Sequence, residues 1–164
     1  MHEKHWGKRI WTLGGLLLMV LLLFLFSGQD RTESDRLSLP LGEALLRLIE
    51  KIRPDRFNRP RWLLVNRLNW LVRKSAHVFL FGMIGGSLQL AVRAWFPSLK
   101  KRHRCAVTIA AMTMISFLSE LHQRFVPGRT GQITDALIDL LGVALLMLGI
   151  TLQHLIQMHR NRIR

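Results

Sequence analysis

Four long apolar blocks constrain this chain more than any other feature. Ile10–Phe26 (IWTLGGLLLMVLLLFLF) carries no charge, and Ser75–Phe96 carries Arg93 near its end. Cys105–Leu121 and Ile133–Ile156 complete the set. Each is long enough to cross a hydrocarbon core about 30 Å thick at about 1.5 Å per residue. That core holds no water to receive unpaired backbone groups, so such segments must be helical. The expected fold is an all-α integral membrane protein in one domain over residues 1–164. It is a four-transmembrane-helix bundle, with spans near 10–26, 75–96, 105–121 and 133–156.

Composition matters once the blocks are recognised. The chain is 49% hydrophobic, yet its formal net charge is +14. In a soluble protein that pairing suggests a nucleic-acid binder. Here the charges sit mostly between the apolar blocks, so the basic excess reads as topology and contact with membrane lipids, and no nucleic-acid partner is expected. Lys4, Lys8 and Arg9 precede the first span; Lys100, Lys101, Arg102 and Arg104 lie between the second and third; Arg160, Arg162 and Arg164 follow the fourth. With four spans, all three groups fall on one side, which the positive-inside rule makes cytoplasmic. Both termini are then cytoplasmic. The first block is too long for the apolar part of a cleaved signal peptide, and SGQD after it is a poor cleavage site, so it reads as an anchor. Cys105 is the single cysteine, which leaves no internal disulfide.

The connection 27–74 is patterned. Leu41, Leu45, Leu48, Ile49 and Ile52 recur at helical spacing, Pro54 and Pro60 interrupt, and Trp62–Val72 is apolar again. These segments predict short interfacial helices on the outer leaflet, with tryptophans at headgroup level; a compact loop domain is the other reading. In the second span, Gly82 and Gly86 share a helix face and predict a close helix–helix approach.

The polar residues beside the spans are the informative ones. Ser27, Gly28 and Gln29 end the first span; Arg73, Lys74, Ser75 and His77 begin the second. Glu120, His122, Gln123 and Arg124 end the third, the turn VPGRTG with Arg129 follows, and Asp135 opens the fourth with Asp139 one helical turn deeper. By the expected topology all of these lie at the outer helix ends, where a small bundle must bring them together. Arg73 and His77, Lys74 and His77, Glu120 and Gln123, and Asp135 and Asp139 are each three or four residues apart and share a face. Ionisable groups at membrane depth are costly and usually face the bundle interior. Cations at an outer helix end suit phosphate or carboxylate. Two readings remain open: ion pairs that hold the helices together, or a functional site. A metal site is chemically conceivable from His77, Glu120, His122 and Asp135. No HExxH or CxxC spacing is present, so no metal or cofactor is expected.

Arg73–Gly86 (RKSAHVFLFGMIGG) resembles the RK-x-AH-F motif of the VanZ-like family. Ser119–Gly142 (SELHQRFVPGRTGQITDALIDLLG) resembles that family's E-x-HQ…PGR…D…(N/D)xxG motif, and FSGQ after the first span resembles its F-S-x-Q. The matches fall in the right order over nearly the whole chain. One departure is Ser119, at a position often acidic in the family. It weakens any two-carboxylate mechanism at the third span. The family is named for a protein that lowers sensitivity to the glycopeptide teicoplanin, so the resemblance implies a bacterial cell-envelope role in the cytoplasmic membrane. Carried over by match, the family's polar residues are Ser27, Gln29, Arg73, Lys74, His77, Glu120, His122, Gln123, Arg129 and Asp135.

The first functional expectation is a non-catalytic envelope protein. Ser27, Gln29, Arg73, Lys74, Gln123 and Arg129 would hold an anionic lipid or lipid-linked wall precursor, and a glycopeptide is a further implied partner. The alternative is an enzyme acting on such a precursor. It would use general acid/base chemistry at His77, Glu120, His122 or Asp135, with the cations holding the anion. A transporter is the weakest reading, since no inverted repeat is visible.

Overall fold

A computed structural model describes residues 2–52 and 59–163. Among these residues the chain is five helices with no strand: α1 (His2–Ser27), α2 (Arg31–Ile52), α3 (Arg61–Trp95), α4 (Lys101–Gln123) and α5 (Ile133–Ile163). Four of them, all but α2, are long and apolar enough to cross a membrane. Their surface confirms the solvent they are built for. Large apolar side chains line the outside, Phe79 being 70% exposed, while Ser27, Thr108, Ser116, Ser119 and Asp139 are almost fully enclosed. Apolar outside and polar inside is the arrangement lipid selects. A small apolar core of Leu23, Phe81, Ile84, Met112 and Val143 joins all four helices.

Local chemistry sets the helix ends. The Asp30 carboxylate accepts hydrogen bonds from the Glu33 backbone N–H (2.8 Å) and the Thr32 hydroxyl (2.6 Å), capping α2. Pro97 stops α3 one residue after the Phe96 N–H has bonded the Val92 carbonyl. Gly128, at φ 73°, follows Pro127 in a turn that the Arg129 N–H closes onto the Val126 carbonyl, a type II turn between α4 and α5.

The connection after α1 differs from the sequence expectation. Residues 31–52 form a single helix with Pro40 inside it, and Trp62–Val72 is not a separate element. It opens α3, because no proline falls between Pro60 and Pro97 to stop the helix. The break expected at Pro54 lies outside the described residues.

α3 is the central element, packing on every other helix. α2 folds antiparallel onto its first half: Glu50 pairs with Arg61 at 2.6 Å, and Asp35 pairs with Arg73 at 3.2 Å. α1 runs antiparallel to α3, so that the Arg9 Nε donates to the Ala94 carbonyl (3.1 Å) and the guanidinium lies 5.6 Å from the Trp95 ring centroid. α5 runs parallel to α3, with Asp135 beside Lys74 and Gly142 beside Val78 and Gly82. A Cβ on Gly142 would run into the Val78 carbonyl oxygen, so glycine is required for this contact.

Candidate functional site

This topology brings the end of α1, the middle of α3, the end of α4 and the start of α5 to one end of the bundle. A cavity of about 180 Å³ opens there. α3 supplies Trp70, Arg73, Lys74 and His77; α4 supplies Gln123; the following turn and α5 supply Gly128, Arg129, Thr130, Gln132 and Asp135.

Two carboxylate contacts join α3 to α5, one to an ammonium and one to an imidazole. Lys74 Nζ lies 2.6 Å from Asp135 Oδ1, and its ammonium also sits over the Trp70 ring, 6.0 Å from the centroid. One turn deeper, His77 Nδ1 lies 3.1 Å from Asp139 Oδ1. Asp139 is 1% exposed, and its other oxygen faces the Ser116 hydroxyl at 3.5 Å. The carboxylate orients the imidazole and selects its tautomer. Beside them, Asp35 from α2 accepts from Arg73 and from the Asn69 amide at 3.0 Å, which fixes Arg73 at the cavity wall.

Glu120 works from beneath. It is buried, accepts from the Gln132 backbone N–H (2.9 Å) and meets the Gln123 amide at 3.3 Å. These bonds tie the α4–α5 turn back onto α4. Gly131 packs against the Glu120 carbonyl so tightly that a Cβ would collide with it. The held turn aims Arg129 inward. Its Nη1 reaches Gln123 Oε1 at 3.5 Å, and its Nε is buried with no hydrogen-bond partner among the described residues. Burial, followed by the like charge of Arg73, pushes the Arg129 guanidinium below its ordinary range. An anion in the cavity would offset both effects and engage the free N–H.

Of the residues singled out from sequence, the structure lines the cavity with Arg73, Lys74, His77, Gln123, Arg129 and Asp135, and sets Glu120 behind them. Three lie elsewhere. Ser27 is buried against the Ser119 hydroxyl (3.2 Å), a contact between α1 and α4 that uses the serine where the family often carries an acid. His122 meets the edge of Phe24, ring centroids 5.7 Å apart, and its Nδ1 is buried with no hydrogen-bond partner among the described residues. Gln29 is half-buried in the α1–α2 connection and does not line the cavity. Asp139 shares a helix face with Asp135 by spacing, and its carboxylate meets His77 rather than lining the cavity. Asp35 and Asn69 had no sequence signal, because their roles depend on α2 folding back along α3. Among the described residues no group of three or more His, Cys, Asp or Glu side chains is arranged to hold a metal ion.

A family model described as VanZ/LLP1 matches residues 13–156, most of the chain. No curated protein matches it. No solved structure matches it either.

Proposed function

This chain belongs to the VanZ/LLP1 family and is a multi-pass membrane protein, and on that footing we propose that it serves the bacterial cell envelope as a binding protein. It lies in the cytoplasmic membrane with both termini inside and the cavity facing out. The cavity holds the anionic headgroup of a lipid or lipid-linked wall precursor without altering it. Occupying such a precursor changes how a glycopeptide such as teicoplanin reaches its target.

The observation that carries this reading is Arg129. It is a half-buried arginine on a tethered turn, its Nε is enclosed and lacks a hydrogen-bond partner among the described residues, and a second arginine stands at the same cavity. Arginine can grip an oxyanion through two parallel N–H bonds, whereas lysine presents a point charge. Arg129→Lys is therefore expected to lose about tenfold or more in affinity for phosphatidylglycerol, measured by native mass spectrometry of the purified protein. Arg47, exposed on α2 and paired with Glu43 at 3.2 Å, is the control, and its charge reversal should change little. Wild-type affinity in Arg129→Lys, or an equal loss at Arg47, would reduce the site to a diffuse basic surface.

The His77–Asp139 pair favours a second reading, an enzyme acting on a lipid-linked precursor. A histidine oriented by a buried carboxylate through Nδ1 keeps Nε2 for proton transfer. In that case His77→Gln should lower turnover by about 10²–10⁴ while leaving precursor affinity nearly intact. In the binding reading, affinity and phenotype fall together.

A further inference from the structure

A groove of about 630 Å³ runs between α3 and α5, floored where Gly82 and Gly142 bring the two backbones together. Its walls include Val78, Phe79, Met83, Ile138, Leu141 and Leu145. Phe79, Met83, Leu141 and Leu145 are exposed, so the groove opens sideways on the face that the bilayer would cover. Trp70 and Lys74 line both this groove and the polar cavity, so the two spaces meet at that pair. From Lys74 to Met83 the helix rises about 14 Å, close to the hydrocarbon depth of one leaflet. The polar space is small and the apolar space beside it is several times larger.

We propose that the ligand is a phosphate-headed membrane lipid that enters sideways from the leaflet, places its phosphate among Arg73, Lys74 and Arg129, and lays its hydrocarbon chain along the α3–α5 groove. This rests on the anion-binding reading above and names the substrate class for it: a lipid, held by head and chain together, rather than a soluble anion or a free glycopeptide. Trp70 lies at the junction, where an amphipathic ring suits the boundary between headgroup and chain. The Lys74–Asp135 pair sits at the same boundary, so an arriving phosphate competes with Asp135 for the ammonium.

The test compares a long-chain lipid with a water-soluble anion on the purified protein. The probes are phosphatidylglycerol, a polyprenyl phosphate and inorganic diphosphate, and the readout is the dissociation constant. Met83→Trp and Leu145→Trp fill the groove from its two helices. Leu118→Trp, on exposed surface of α4 outside the groove, is the control. Both groove variants should weaken binding of the long-chain probes tenfold or more and leave diphosphate binding unchanged. Leu118→Trp should change neither. Whichever long-chain probe binds more tightly identifies the source of the chain. Lipid binding that survives both groove variants would overturn the chain's placement while leaving the anion site standing. So would equal affinity for lipid and diphosphate in the wild type. If no probe binds at all, the anion-binding reading falls with it. Unfolding temperatures of the two tryptophan variants, introduced at exposed positions, separate loss of the groove from loss of the fold.

Discussion

Asp139 shows how a single enclosed charge can organise a helix interface. It is 1% exposed and depends on His77 at 3.1 Å, with Ser116 a weaker partner at 3.5 Å. Removing one member of a buried pair leaves the other to bear its desolvation, whereas removing both does not. His77→Leu should thus destabilise the protein by about 3 kcal/mol, and the double variant His77→Leu/Asp139→Leu should recover much of that loss. A thermal-denaturation cycle in detergent reads the sign. If the double variant is less stable than His77→Leu alone, the pair is not mutually dependent. Arg129 is held by its turn instead: exposed Pro127 and the positive φ of Gly128 shape it, and Glu120 anchors it through the Gln132 N–H. Most of these side chains could be singled out from the sequence, because charges next to apolar blocks have few places to go. Which charge meets which could not, since Lys74 and Asp135 are brought together only by α5 running parallel to α3.

At the scale of helices, the contact between α3 and α5 sets the geometry of both the cavity and the groove. The GxxxG spacing of Gly82 and Gly86 announced a close approach, and its partner is Gly142, with Leu146 over Gly85 and Gly86. Gly142→Leu should force the helices apart and cost about 1–3 kcal/mol or more, as overpacking does. Gly149→Leu, where an added Cβ meets nothing, should be tolerated. Equal unfolding temperatures for the two variants would show that the close approach is not needed. α2 docks in a similar way: a Cβ on Gly42 would lie 3.0 Å from the Asn69 backbone nitrogen. The sequence pattern of residues 41–52 revealed an amphipathic helix. It could not reveal that α3 starts as far back as Arg61, because Arg67, Arg73 and Lys74 interrupt the apolar run without interrupting the helix; arginine and lysine are good helix formers.

For the whole molecule, orientation decides which compartment the cavity samples. The N-terminal end of α1 and the α3–α4 connection lie at one end, joined by the Arg9–Ala94 bond, and the cavity lies at the other. Thr130→Cys is expected to react with an impermeant thiol reagent on intact cells, and Ser98→Cys only after permeabilisation. The reverse pattern would turn the cavity to the cytoplasm and remove any encounter with outward-facing precursors. The membrane class, the four spans and the end of the bundle where polar groups gather are all legible in the order of amino acids. All three follow from hydropathy, span length and the placement of charge, which are properties of local segments. The remaining features arise only from packing: Ser27 and His122 turned away from the cavity, Asp139 brought against His77, α2 laid along α3, and a groove opened beside the polar pocket. These depend on which helix faces meet, and that is set by the small residues and buried pairs of distant segments acting together.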